Sequence, residues 1–144
     1  MQPLAPQALP ASHQEMFTTM TQGHTAHPPF HVLVVDDDPD AAESLAFCLQ
    51  VDGRHVRYAT SGDDALALAA EQPPHLALID IYMPGVDGNA LARELRQRFG
   101  DRLVLIAVTG ALKSVTLESF DHQLTKPVDF TQLQHMLDAA SAQR

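Results

Sequence analysis

Runs of apolar residues alternate along this chain with segments whose apolar residues recur at a helical spacing. Three runs contain at least four consecutive apolar residues and predict strands buried on both faces, because a half-buried strand would alternate polar and apolar positions. These runs are Val32–Val35, Leu76–Ile79 and Leu103–Val108. Shorter strands are predicted at His55–Tyr58 and Gln123–Thr125.

The segments between these strands carry helix start and stop signals. Helices are predicted from Pro39 to Gly53, from Ser61 to the residues before Pro73, from Asn89 to Phe99 and from Phe130 onward. Asp87 and Asp129 are the predicted N-caps of the last two of these helices, and Gly100 is the predicted end of the third. The last helix is expected to bury Phe130, Leu133, Met136 or Leu137, and Ala140.

Strands that alternate with helices predict a parallel sheet covered on both faces by right-handed crossovers. The chain has 144 residues, which fits one such domain. Residues 1–29 are rich in Pro, Gln, Thr and His and predict a disordered or loosely docked leader before the domain at 30–144. Within this leader, Ser12–Glu15 has the spacing of a capping box, followed by Met16, Phe17 and Met20 at a helical period.

Composition restricts the possible functions. The 18 acidic and 9 basic residues give a net charge of −9, and the bases form no stripe, so we expect no direct nucleic-acid binding. No apolar run is long enough to span a bilayer, and no signal peptide is recognisable, which favours a cytoplasmic protein.

Cys48 is the only cysteine and is predicted to be a small buried residue in a helix. The N-terminal histidines match no closed metal site.

Polar residues of distinct types follow four of the five predicted strands. Asp36 and Asp37 follow the first strand, Asp80 the third, Thr109 the fourth and Lys126 the fifth. The carboxyl ends of parallel strands lie at one edge of a sheet, where open α/β proteins bind their ligands. We therefore expect three carboxylates, a hydroxyl and an ammonium group to converge there.

This combination of groups indicates phosphoryl chemistry. Three neighbouring carboxylates repel one another unless a cation lies among them. Mg²⁺ commonly uses one or two carboxylates and keeps water molecules for a phosphate. A lysine and a hydroxyl bind phosphoryl oxygens, and an aspartate can accept a phosphoryl group as an aspartyl phosphate.

Four segments, in this order, resemble the receiver domain of two-component response regulators: VLVVDDDPDAAESL, LALIDIYMPGVDG, IAVTG and LTKPVD. The resemblance extends from about Val32 to Ala140 and is also close to receivers of hybrid histidine kinases. It implies a flavodoxin-like (βα)5 fold, a doubly wound parallel sheet with strand order 2-1-3-4-5. It implies a signalling phosphoacceptor that assists its own phosphorylation and dephosphorylation, and no enzyme in the ordinary sense.

The resemblance also implies a role for each polar residue at the sheet edge. Asp80 matches the phosphoacceptor. Asp36 and Asp37 match the acidic pair that holds Mg²⁺ together with Asp80, and the backbone carbonyl of Tyr82 matches a further metal ligand.

Thr109 matches the hydroxyl that contacts the phosphoryl group, and Lys126 matches the cation that pairs with it. The implied partner is a sensor histidine kinase or a histidine phosphotransfer protein. Because the chain stops after the last helix, we expect a single-domain regulator whose output is an interaction with another protein.

Two features depart from the family pattern. Only 16 residues separate Thr109 from Lys126, so the fourth helix, at Ala111–Phe120, is expected to be shortened to two or three turns. Gln123 stands where receivers often have an aromatic residue that turns inward on phosphorylation, and an amide cannot make that apolar exchange. If the short helix exposes apolar surface, the face formed by Met16, Phe17 and Met20 could cover it.

Two alternatives remain open at this point. A receiver-like binding module that is not regulated by phosphorylation is consistent with the short fourth helix and with Gln123. A phosphatase of the haloacid-dehalogenase type would use Asp36 as nucleophile and Asp38 as acid, but it leaves Asp80 and the residues after it unexplained. Phosphatase activity would depend on Asp36 rather than on Asp80.

Overall fold

The computed structural model describes residues 29–50, 53–84, 86–110 and 117–142. The strands are β1 (His31–Val35), β2 (His55–Ala59), β3 (Leu76–Asp80), β4 (Tyr82–Met83), β5 (Val86–Asp87), β6 (Val104–Thr109) and β7 (His122–Thr125). The helices are α1 (Pro39–Gln50), α2 (Gly62–Glu71), α3 (Gly88–Phe99) and α4 (Phe130–Ala142), with a short 3-10 helix at Gly100–Arg102.

Five strands form one parallel sheet in the order β2-β1-β3-β6-β7. This confirms the predicted order 2-1-3-4-5, since β6 and β7 are the fourth and fifth strands of the predicted sheet. The small strands β4 and β5 pair antiparallel with each other immediately after β3. They form a hairpin that the sequence patterns did not predict as strands.

The sheet separates two apolar layers, because its strands have apolar side chains on both faces. On one face, Val34, Leu78 and Val108 pack in a cluster that includes residues of α1 and α4. On the other face, Val35 and Ile79 pack in a cluster that includes residues of α2 and α3. The predicted three-layer α/β architecture is thus confirmed.

Side-chain caps begin three of the helices. The side chain of Ser61 accepts a hydrogen bond from the backbone N–H of Asp64, and Asp87 accepts one from Asn89. Asp129 Oδ1 accepts from the backbone N–H groups of Thr131 and Gln132 at 2.9 and 3.3 Å. These contacts satisfy N–H groups that have no partner within a helix, so the predicted starts of these helices are confirmed.

Two predictions of burial are wrong. Phe130 is 45% exposed, because α4 turns Leu133 and Leu137 toward the sheet and leaves its first residue at the rim of the domain. Cys48 is also exposed, because α1 buries Ala42, Ala46 and Leu49 on its inner face. An apolar residue at a helical spacing need not lie within the narrow stripe that contacts the sheet.

Two other predictions fall wholly or partly outside the described residues. The leader at 1–29 lies outside them except for Pro29, and so does its docking on the domain. Most of the shortened fourth helix falls at 111–116, which are also outside, and residues 117–121 contain no helix. None of the helices in the described part of the chain is long and apolar enough to cross a membrane.

Candidate phosphoryl-acceptor site

Three carboxylates meet where β1 and β3 end. The pairing of Val35 with Ile79 places Asp36 and Asp80, the next residues of the two strands, side by side. Carboxylate oxygens of Asp36, Asp37 and Asp80 all lie within 4.8 Å of one another. Asp80 is only 5% exposed. The predicted convergence of these acids is observed.

Lys126 reaches the acids from the end of β7, an edge strand of the sheet. Its Nζ lies 2.9 Å from Oδ2 of Asp80 and 3.7 Å from Oδ2 of Asp36. Lys126 follows β7, which is separated from β3 by β6, so its long side chain crosses the end of β6. Its backbone N–H donates to the carbonyl of Thr109 at 2.8 Å, which holds the end of β7 against β6. The peptide bond between Lys126 and Pro127 is cis.

Thr109 is the last residue of β6, the strand between β3 and β7. It is fully buried. Its Oγ1 accepts a hydrogen bond from the side-chain amide of Gln123 at 3.2 Å. The structure therefore brings this hydroxyl to the same edge of the sheet as the acids and the lysine.

The backbone after Asp80 fixes its carboxylate. Asp80 Oδ1 accepts from the backbone N–H of Tyr82 at 3.0 Å, while Oδ2 contacts Lys126. The side chain of Tyr82 is 49% exposed beside this contact. The carboxylate of Asp80 is thus held on both oxygens, and the role of the Tyr82 carbonyl as a metal ligand stays a prediction.

Gly88 is a residue of the site that sequence reasoning missed. A Cβ atom at this position would lie 3.1 Å from the backbone oxygen of Asp80 and 3.1 Å from Cα of Ile81. The first residue of α3 therefore packs directly against the backbone at the end of β3, which only a glycine allows without a shift. The Asp87–Gly88 pair before an amphipathic segment indicates a helix start, but it does not report this contact with the backbone of β3.

The electrostatics of the site are those of an acid-rich cluster with one cation. Burial raises the pKa of the Asp36 carboxyl, opposed by the N–H of Asp38 and by Lys126, and the charges of Asp80 and Asp37 raise it further. Burial lowers the pKa of the Lys126 ammonium, but its hydrogen bond with Asp80 and the charges of both acids outweigh burial and raise that pKa. The surroundings thus disfavour the negative charge on Asp36 and favour the positive charge on Lys126.

The donor set fits a Mg²⁺ ion. Asp36, Asp37 and Asp80 supply oxygen ligands only, which hard divalent cations prefer to nitrogen or sulfur. Burial, and to a smaller extent the charges of Asp80 and Asp37, disfavours the negative charge on Asp36. A divalent cation would compensate it.

Asp38 has a different role from the acid that a dehalogenase-type phosphatase requires. Its Oδ1 accepts from the backbone N–H of Asp40 at 3.1 Å in the first turn of α1. Its own N–H donates to Oδ1 of Asp36 at 3.0 Å. Asp38 therefore serves the helix start, and the acids that lie with Asp36 in the cluster are Asp37 and Asp80.

A cavity of about 460 Å³ opens beside the site between α1 and α4. Asp36, Asp80 and Lys126 line one part of it, and the residues that line the rest include Cys48 and Phe130. The two residues wrongly predicted to be buried thus line the same cavity as these three residues of the site.

A clamp formed by Arg96 and Asp121 holds the segment before β7 against α3 and β6. Arg96 of α3 contacts the carboxylate of Asp121 at 2.8 Å and the carbonyl of Ser119 at 2.9 Å. The same oxygen of Asp121 accepts from the backbone N–H of Leu105 at 2.8 Å. These contacts attach residues 119–121 to α3 and β6 just before β7 begins.

Known proteins resemble this chain in sequence. Sensory transduction protein LytT of Oceanobacillus iheyensis is 32% identical over 97 residues, which are 66% of this chain and 39% of LytT. The chain thus corresponds to well under half of LytT. An uncharacterized 14.6 kDa protein of Leptolyngbya boryana is 36% identical over 104 residues, which are 68% of this chain and 79% of that protein.

Solved structures resemble this one closely. Response regulator TrrA of Thermotoga maritima, in complex with Mg²⁺ and BeF, has a TM-score of 0.69 and 28% identity, covering 77% of this chain and 98% of that one. The same regulator in complex with histidine kinase ThkA has a TM-score of 0.68 and 29% identity, covering 77% of this chain and 97% of that one. Residues 32–138 match the family model of the response regulator receiver domain. This chain therefore belongs to the response regulator receiver domain family of two-component systems, whose members are signalling modules.

Proposed function

We propose that this receiver domain accepts a phosphoryl group on Asp80 and signals through a phosphorylation-dependent interaction with another protein. The observation that carries the proposal is the contact of 2.9 Å between Lys126 Nζ and Asp80 Oδ2. A buried carboxylate that is held beside two further acids and one cation has the groups that phosphoryl transfer needs. Asp36, Asp37, Thr109 and Lys126 complete the set.

The chemistry at Asp80 is a displacement at phosphorus. A carboxylate oxygen of Asp80 forms a bond to phosphorus while the bond between phosphorus and the donor's leaving atom breaks. The leaving atom keeps the electron pair of that bond, so acetate departs from acetyl phosphate as an anion and a histidine nitrogen departs as the neutral imidazole. Phosphoryl transfer of this kind depends mainly on position and on neutralised charge.

Each neighbouring residue has a distinct part in this step. The hydrogen bond from the N–H of Tyr82 holds Asp80 Oδ1 in place and so leaves the carboxylate in a fixed orientation. Lys126 pairs with a phosphoryl oxygen once phosphorus is bound, because its ammonium already lies within 2.9 Å of Asp80 Oδ2. The Thr109 hydroxyl donates to a second phosphoryl oxygen.

Asp36, Asp37 and Asp80 would hold a Mg²⁺ ion, with the Tyr82 carbonyl as a further ligand. When bound, this ion neutralises charge on the phosphoryl oxygens. Asp36 keeps its orientation without the ion, since its Oδ1 accepts a hydrogen bond from the N–H of Asp38. Sites of this kind use few protein carboxylates and leave room for a phosphate.

A histidine kinase or a histidine phosphotransfer protein is the proposed donor. Support comes from TrrA, a structural neighbour that forms a complex with the histidine kinase ThkA. Asp80 lines the cavity between α1 and α4, which is the proposed path of the donor side chain to this carboxylate. A downstream protein that distinguishes the phosphorylated form is the proposed output partner.

The proposal is tested by intact mass after incubation with acetyl phosphate and Mg²⁺. Wild type should gain one phosphate, and Asp80→Asn should gain none. Asp63→Asn is the matched control, because Asp63 is an exposed acid in the first turn of α2. It should gain phosphate as wild type does. An unmodified wild type, or an adduct that persists in Asp80→Asn, would overturn the proposal.

A further inference from the structure

A surface glutamine contacts the buried hydroxyl of the site. Gln123 is exposed, whereas Thr109 has no solvent-accessible surface. The side-chain amide of Gln123 donates to Oγ1 of Thr109 at 3.2 Å. The Thr109 hydroxyl at the end of β6 is therefore hydrogen-bonded to a residue of β7, the outer strand of the sheet.

The strand register explains how this contact forms. Gln123 pairs with Ala107, and Thr109 pairs with Thr125. Residues two apart on a strand point to the same face of the sheet, so Ala107 and Thr109 share a face with Gln123. Because Ala107 is small, the glutamine side chain can extend along the strand past it to the hydroxyl of Thr109.

We propose that Gln123 is a positioning residue that holds the Thr109 hydroxyl as a hydrogen-bond donor toward the phosphoryl group on Asp80. This inference rests on the proposed function of Asp80. A hydroxyl has one proton to donate and two lone pairs to accept with. The amide N–H of Gln123 occupies one lone pair, so the proton of the hydroxyl points away from the amide.

The hydroxyl proton is then left for a ligand. Among the residues that the structure describes, Thr109 Oγ1 has the Gln123 amide as its hydrogen-bond partner and no other. A phosphoryl oxygen on Asp80 is an acceptor that this edge of the sheet would supply. A hydroxyl that already accepts a hydrogen bond is also a stronger donor, because linked hydrogen bonds polarise one another.

A double-mutant cycle tests this role. The initial rate of phosphate uptake from acetyl phosphate and Mg²⁺ is measured by intact mass for wild type, Gln123→Leu, Thr109→Val and the double variant. Gln123→Leu should slow uptake by about two- to tenfold, the effect of one hydrogen bond. In the Thr109→Val background the same change should have no further effect, because the hydroxyl that it positions is gone. Gln97→Leu, an exposed glutamine of α3, is the control and should match wild type.

A second measurement does not depend on the folding of the Thr109→Val variant. Glutamate can only accept a hydrogen bond when it is ionised, so Gln123→Glu should take the Thr109 proton for itself. Uptake in Gln123→Glu should therefore be slower than in Gln123→Leu.

The outcomes separate the two proposals. If wild type takes up no phosphate, the proposed function fails and this inference fails with it. If wild type takes up phosphate and Gln123→Leu matches it, only the role of Gln123 is overturned. That role is also overturned if Gln123→Leu causes the same loss in the wild-type and Thr109→Val backgrounds, or if Gln123→Glu takes up phosphate as fast as wild type.

Discussion

The ammonium of Lys126 lies 2.9 Å from one carboxylate oxygen of Asp80, although their strands are separated by the whole width of β6. The contact depends on the register of the sheet. Thr109 at the end of β6 pairs with Thr125, the residue before Lys126, so the lysine begins just beyond the buried strand end. The lysine thus spans the edge where a phosphoryl group on Asp80 would be held.

Replacing this lysine tests its role directly. Lys126→Met keeps most of the side-chain length and removes the charge, so phosphate uptake by Asp80 should fall by roughly a hundredfold, the usual loss when one charge-stabilising group is removed. The rate is measured by intact mass with acetyl phosphate and Mg²⁺. Arg98→Met removes a surface cation paired with Glu94 on α3 and should leave uptake unchanged. Uptake by Lys126→Met at the wild-type rate would contradict the assigned role.

The charged carboxylate of Asp36 should lower the stability of the folded protein when no metal ion is bound. Its pKa is raised chiefly by burial, so the folded protein favours its neutral form and the charged form costs stability at neutral pH. Without Mg²⁺, Asp36→Asn should therefore raise the melting temperature at pH 7. The gain should shrink as the pH falls through the raised pKa toward the ordinary value of 3.8, where wild-type Asp36 also becomes neutral.

Added Mg²⁺ should reverse that order. A ligand that binds only the folded state raises its stability, so Mg²⁺ should raise the melting temperature of wild type and much less that of Asp36→Asn. Thermal denaturation with Mg²⁺ and with a chelator measures both effects. Equal stabilisation of the two proteins by Mg²⁺ would argue against Asp36 as a metal ligand.

Gly88 should be intolerant of a side chain. A Cβ at Gly88 would lie 3.1 Å from two backbone atoms at the end of β3, and backbone cannot move as easily as the tip of a side chain. Gly88→Ala should therefore cost about 1–3 kcal/mol in the free energy of unfolding. Gly110→Ala is the control, since a Cβ there meets nothing within 4 Å. Chemical denaturation should show little change for this control, and a similarly neutral Gly88→Ala would show that α3 can move away from Asp80.

The clamp between Arg96 and Asp121 should stabilise the segment before β7. Arg96→Ala removes a charged hydrogen bond to Asp121 and bonds to backbone carbonyls, and it should cost about 1–3 kcal/mol in the free energy of unfolding. Arg98→Ala, which breaks an exposed pair with Glu94, should cost no more than about 0.5 kcal/mol. Urea denaturation compares the two, and equal costs would show that the clamp is no stronger than a surface ion pair.

Much of the fold follows from the sequence because its local signals agree. Asp129 is a helix cap by residue type, it precedes a helical apolar pattern, and it accepts the two expected backbone hydrogen bonds. The apolar run Leu76–Ile79 predicts a central strand, and all of its residues are buried. The meeting of Asp36, Asp37 and Asp80 follows from strand order alone, since parallel strands end at one edge.

What escaped prediction depends on contacts between distant segments. The need for glycine at position 88 is set by the backbone of Asp80 and Ile81, and no local pattern reports that approach. The amide of Gln123 gains its role from the register with β6, which places it two residues below Thr109. Cys48 has a helical spacing that fits burial, but the width of the stripe that meets the sheet decides its exposure.

Whether Asp80 carries the phosphoryl group is decided by locating the modified residue in the chain. Protein treated with acetyl phosphate and Mg²⁺ is reduced with borohydride, which converts an acyl phosphate to an alcohol, and is then digested and sequenced by mass spectrometry. We expect homoserine at position 80, with Asp36 and Asp37 unchanged. Homoserine at the position of Asp36 or Asp37, or its absence from all three positions in protein that had gained phosphate, would contradict phosphorylation of Asp80.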